Sequence, residues 1–196
     1  MKKVQLLGRL KNLQVLSLCD LFGFGIELLE GIAQMPELRD LDCESIPKDV
    51  GTEIKKQWKD KIDVLSVTKM RDENWLKENM DNPLRHWDGS EFIPPAAYKK
   101  AFQCYKKTRK KMLEAVDKQE ILLIAQEYTE VFNKLNEKFE EFIETEERDD
   151  IFDAMKQLYE DCVAKRFDGE KNADDKILDI TWDEIESVIE ELREDW

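Results

Sequence analysis

Histidine is almost missing from this chain: His86 is the only one in 196 residues. Glycine (7) and proline (5) are scarce too, which excludes a low-complexity or collagen-like polymer. No window approaches the ~18 consecutive apolar residues that a membrane helix needs. The opening MKKVQLLGRLKNL begins like a signal peptide, but Arg9 and Lys11 break its apolar run before a leader core can form. The four cysteines (19, 43, 104 and 162) show no C-x-x-C spacing. They are expected to be reduced thiols in a cytoplasmic protein.

Catalytic signatures are missing as well. There is no G-x-S-x-G, H-E-x-x-H, Walker A run or G-x-G-x-x-G, and Gly23-Phe24-Gly25 is a turn without the third glycine that phosphate cradling asks for. His86, flanked by Arg85, Trp87 and Asp88, has no nucleophile motif beside it and reads as a packed or hydrogen-bonded residue rather than a base. The loop DGEKNADDK (168–176) carries oxygen donors but not the order or closing glutamate of a calcium loop. No catalytic residue, metal or cofactor is assigned. Basic excess is also lacking: the net charge of −14 argues against general attraction to DNA, RNA or anionic lipid.

What the chain does contain is a period. Leu13, Leu16 and Leu18 recur 25 residues on as Leu38, Leu41 and Cys43, and 24 further on as Ile62, Leu65 and Val67. Leu21, Ile46 and Met70 form a fourth apolar column, and Leu10 and Met35 a column just ahead of the first. The spacing predicts short parallel strands near 14–19, 39–44 and 63–68, with alternate residues inward. Return helices should bury Ile26, Leu29, Ile32 and Ala33 in one unit, and Val50, Ile54 and Trp58 in the next. The outward positions then make three columns: Val15, Asp40 and Val64; Ser17, Asp42 and Ser66; Cys19, Glu44 and Thr68. These nine residues are the candidate partner-binding surface, and a solvated strand face is the competing reading. The apolar residues of 1–12 either fold over the first unit as a cap or leave an edge open to a partner, to a second copy in a homodimer, or to an upstream segment.

Beyond residue 71 the period stops. Asp72 or Asn74 should start a short helix with Trp75, Leu76 and Met80, and Leu84, Trp87, Phe92 and Ile93 are expected to plug the sheet end. A helix over 95–116 should bury Tyr98, Phe102, Tyr105, Met112 and Val116. One over 119–144 should bury Ile121, Ala125, Tyr128, Phe132, Leu135, Phe139 and Phe142. Thr145 is placed as the cap of a third helix, with Ile151, Met155, Leu158, Tyr159 and Cys162 inward. Thr181-x-x-Glu184 is a capping box that starts the last, with Ile185, Val188, Ile189 and Leu192 on its apolar side. Short connections favour an antiparallel helical bundle. The organisation expected is therefore an α/β segment at 1–71, a capping helix and aromatic linker at 72–95, and an acidic all-α bundle at 96–196.

Charge is uneven along the bundle. Residues 137–153 carry a net −7 and 168–196 a net −9, whereas 99–118 carries +6 through Lys99, Lys100, Lys106, Lys107, Arg109, Lys110, Lys111 and Lys118. The basic stretch is either a phosphate-binding helix or a helix lying beside acidic neighbours. Tyr98 and Tyr105 sit on the apolar stripe rather than among the lysines, which favours the second.

The units L13-x-x-L16-x-L18, L38-x-x-L41-x-C43 and I62-x-x-L65-x-V67 resemble the leucine-rich repeat family over residues 10–70. Leu21, Ile46 and Met70 depart from the Asn or Cys that the family often has there, so its loop-satisfying side-chain ladder is expected to be missing. The stretches NPLRHWDG and FNKLNEKFEEFIETEERDDIF resemble small bacterial immunity proteins that neutralise polymorphic toxins. Together these resemblances imply a non-catalytic protein-binding module, an inhibitor of a basic partner protein. Nucleic-acid binding through 99–118, or an uncharacterised enzyme, is the alternative.

Overall fold

The computed structural model describes residues 4–25, 27–167, 179–194 and 196. It divides into two parts, Met1–Asp81 and Asn82–Trp196. Among the described residues no helix is long and apolar enough to cross a membrane.

In the first part, strands β1 (Val15–Cys19), β2 (Asp40–Glu44) and β3 (Val64–Thr68) form a parallel sheet in the order β1-β2-β3. Its register pairs Val15 with Asp40 and Asp40 with Val64, and keeps step to Cys19, Glu44 and Thr68, so the sequence offsets of 25 and 24 are the strand register. Leu16, Leu18, Leu41, Cys43 and Val67 are buried on one face and Leu65 is half-buried. Each strand ends alike, with Asp20, Ser45 and Lys69 in left-handed backbone (φ 50°, 53° and 44°). Such a conformation costs a non-glycine residue about 1–2 kcal/mol. It turns the chain off the sheet while the N–H of Asp20 and Ser45 still bond across to Glu44 and Thr68 (3.0 and 3.2 Å).

Helices α1 (Glu27–Ile32), α2 (Lys48–Trp58) and α3 (Glu73–Asn79) follow the three strands. Val50, Ile54 and Trp58 are buried, and Gly51 lets α2 approach β3. A Cβ there would stand 2.8 Å from Met70 Sδ and 3.2 Å from Val67 Cγ1. In α1 the buried residues are Leu28, Leu29 and Ile32. Ala33 is exposed, against expectation, because α1 stops at Ile32 and the turn after it carries Met35 inward instead. Ile26 lies outside the described residues. Leu10 does not repeat Met35: it is 47% exposed, since a 3-10 turn over Val4–Arg9 lies against α1 and packs Leu7 on the core. Asp72 caps α3 by accepting the Trp75 N–H at 2.9 Å.

The second part is helical: α4 (Pro95–Glu114), α5 (Lys118–Lys138), α6 (Thr145–Phe167) and α7 (Trp182–Leu192). Helix α5 packs on α4 and α7, and α6 packs on both as well. The core centres on Trp87, Tyr128 and Phe132, with Leu84, Ile93, Met112, Ile151, Met155 and Ile185 around them. Deleting an aromatic ring from such a centre costs about 3–5 kcal/mol.

Several sequence expectations change here. Leu84, Trp87 and Ile93 belong to this helical core, whereas Phe92 is 82% exposed. Val116 is 68% exposed because α4 ends two residues before it, and Ala97, Ala101 and Thr108 take buried places on the stripe. Helix α5 ends at Lys138 rather than running to 144. Phe139 is its cap, Glu140 and Glu141 are left-handed (φ 62° and 57°), and the Glu141 N–H returns to the Asn136 carbonyl at 2.9 Å, a Schellman closure. Phe142 and Ile143 are thereby brought back onto the core from outside any helix. Thr145 is the first residue of α6, not its cap; Glu147 accepts the Glu144 N–H there (3.2 Å). The Thr181–Glu184 capping box is formed, and Leu192, expected inward, is 39% exposed at the end of α7.

Candidate functional site

The three outward columns are placed side by side by the register. Val15 and Val64 are 60% and 56% exposed and flank Asp40, so the first column is an acid between two apolar side chains. In the second, Ser17 Oγ donates to Asp42 Oδ2 at 3.3 Å, and Ser66 is half-buried. In the third, Lys69 Nζ stands 2.5 Å from the Glu44 carboxylate, and Cys19 and Thr68 are exposed. Lys69 therefore offsets Glu44, and the uncompensated charge of the face sits at Asp40 and Asp42, which have no ion pair among the described residues. Partial burial raises the Cys19 thiol above its ordinary value, with Glu44 and Asp20 adding to the shift against Lys69. That makes it a poor nucleophile at neutral pH.

Sequence reading missed the rung beside this face. Arg71 Nε donates to Ser45 Oγ (3.1 Å), and Ser45 Oγ donates to Asp20 Oδ1 (3.1 Å). A side-chain ladder thus crosses the ends of the strands where its loss was expected, from Asp20 and Ser45, one position before the apolar Leu21 and Ile46, to Arg71, one position after Met70. Polar residues at 20, 45 and 71, just outside the columns, were the available signal. The Arg71 guanidinium also lies 4.1 Å over the Trp75 ring, and Phe22 meets that ring at 5.7 Å.

His86 is held rather than free: its Nε2 lies 2.6 Å from Asp150 Oδ2, an oxygen that also accepts the Trp87 indole N–H at 2.8 Å. The arrangement ties the 3-10 turn Arg85–Trp87 to α6. Among the described residues no group of three or more His, Cys, Asp or Glu is placed to hold a metal ion. The loop 168–176 lies outside those residues.

The basic stretch 99–118 is not one helix, since α4 ends at Glu114 and Lys118 opens α5; along it Arg109 pairs with Asp161 (3.5 Å), Lys111 with Glu127 and Lys118 with Glu184. Lys106 Nζ lies 4.2 Å over the Phe102 ring. Acidic neighbours on α5, α6 and α7 thus meet three of its eight cations, and Lys99, Lys100, Lys107 and Lys110 are exposed.

No protein-family model, curated protein or solved structure matches this chain.

Proposed function

We propose that the protein is a non-catalytic, cytoplasmic binding module that grips a basic partner protein through the outward face of its parallel sheet, and inhibits it by covering its surface. The observation that carries this reading is the row of acids Asp40, Asp42 and Glu44 along the central strand, with Asp40 set between exposed Val15 and Val64 and Lys69 offsetting Glu44. An apolar patch beside fixed charge is the usual composition of a recognition surface: the apolar atoms supply affinity and the acids supply register and on-rate. The 24–25-residue register supports reading the first part as three leucine-rich repeats. Short turns between α4, α5 and α6 support an antiparallel bundle in the second. The ion pairs of Arg109 and Lys111 on α4, and of Lys118 at the start of α5, favour the basic stretch as part of the bundle over a nucleic-acid site.

The test is affinity capture from native lysate with the intact chain, against the combined Asp40→Lys, Asp42→Lys, Glu44→Lys variant. A partner retained at low salt, indifferent to nuclease and lost with the variant bears the reading out. Capture that survives charge reversal, or that nuclease abolishes, overturns it.

A further inference from the structure

A second surface lies in the helical part, where Phe92, Pro94, Phe139 and Phe142 line a cleft of about 720 Å³ rimmed by Glu140, Glu141, Glu144, Glu146 and Glu147. We propose that this cleft docks a segment of the partner protein that carries lysine or arginine beside an apolar side chain. The inference rests on the reading that the partner is a basic protein.

Four observations lead to it. Phe92 is 82% exposed, the largest exposure among the big apolar side chains described. Its backbone is held: Ser90 Oγ accepts its N–H at 3.2 Å, Ile93 beside it is 4% exposed in the core, and Pro94-Pro95 follows. A backbone anchored by a buried neighbour and two prolines loses little freedom when something packs on the ring it carries.

The rim is acidic, with Lys138 the cation beside its Phe139 wall. No lysine or arginine lines the cleft, and Glu140, Glu141, Glu144 and Glu146 have no ion-pair partner among the described residues. The carboxylates are not gathered for a metal ion, since no chelating group is found there. They suit instead a cation that brings several separated charges, which is what a basic peptide presents.

The wall chemistry agrees. Lys138 Nζ already stands 5.9 Å over the Phe139 ring, so the chain itself places an ammonium against this aromatic edge. Phe139 and Phe142 meet edge to face at 6.5 Å, and Phe142 in turn meets Trp87 at 5.9 Å, so the floor is anchored in the core. Apolar floor, aromatic post and acidic rim together accept a methylene stem with its charged head outermost.

The test uses the intact chain and a fluorescent, N-acetylated peptide of alternating lysine, leucine and glycine, read by anisotropy. Binding that Phe92→Ala weakens about tenfold or more supports the proposal, provided the melting temperature is unchanged. So does a salt dependence that flattens in the combined Glu140→Gln, Glu141→Gln, Glu144→Gln variant. The strand-face variant at Asp40, Asp42 and Glu44 is expected to bind the peptide as the parent does. Equal binding by parent and Phe92→Ala, or no binding at about millimolar peptide, overturns the proposal. So does a concentration-dependent dimer that Phe92→Ala abolishes, because the occupant is then a second copy. In lysate capture, a partner lost with strand-face reversal but kept by the cleft variants sinks the cleft alone. A partner lost only with the cleft variants sinks the strand-face assignment and keeps the cleft.

Discussion

The side-chain carbonyl of Asn136 accepts the backbone N–H of Ile143 at 2.9 Å, seven residues further on and buried from solvent. That bond closes the reversal after α5 and seats Phe142 and Ile143 on the core. Asn136→Ala leaves a buried donor unmet and is expected to lower stability by about 1–3 kcal/mol, measured by urea unfolding. Asn136→Asp, which keeps the acceptor, should cost less at neutral pH.

The same reversal predicts a gain. Glu140 occupies the position after the helix cap where glycine is favoured, at φ 62°. Glu140→Gly removes the left-handed penalty and is expected to raise stability by about 0.5–1 kcal/mol after the added freedom of the unfolded chain is discounted. A melting temperature that falls would show that the Glu140 side chain contributes more than its backbone costs.

Ser45 joins Arg71 and Asp20 through one hydroxyl. Ser45→Ala keeps the left-handed backbone and loses both bonds, so a loss of about 1–2 kcal/mol is expected in denaturant unfolding. Ser45→Gly loses the same bonds but relieves the backbone, and should fall between the parent and Ser45→Ala.

Burial pushes the Cys43 thiol from 9.0 up to about 12, helped by Asp42. It likewise pushes Cys104 up to about 11, against Thr108 and nearby lysines. The folded chain holds these protons to higher pH than the unfolded chain does. Their contribution to stability is complete below the unfolded value and is lost as pH rises through the folded ones. Melts from about pH 8 to about pH 11 should therefore show a progressive alkaline fall, flattened in Cys43→Val. Under native conditions alkylation should mark exposed Cys19 first and leave Cys43 and Cys162 untouched.

Val15 and Val64 are exposed, so Val15→Ser and Val64→Ser should each move stability by no more than about 0.5 kcal/mol. Partner affinity should nevertheless drop, by calorimetry with the captured protein. Unchanged affinity would confine recognition to the acids.

Much of the sheet was legible in advance. Strands of period two with one buried face cannot slip by a residue without turning Leu16, Leu41 and Val67 to water. Three apolar columns at a fixed offset therefore determined both strand positions and register. The helical stripe of α6 was legible from the i, i+4, i+7, i+11 spacing of Ile151, Met155, Leu158 and Cys162. The end of α5 was not: Phe139 and Phe142 continue its apolar stepping, so a local pattern extends the helix through them.

The sequence by itself determined the strands, most of the helices with the middle of their buried faces, the outward columns and the Thr181–Glu184 cap, because each follows from spacing within a few residues or from the offsets of 25 and 24. Only the tertiary structure decided the reversal at Glu140 and Glu141, the Asp20–Ser45–Arg71 rung, the Lys69 contact that offsets Glu44, and the cleft around Phe92. These depend on groups 7 to 55 residues apart meeting in space. A bond of that kind outweighs a local preference of about 1 kcal/mol, and no pattern within one turn of the chain records it.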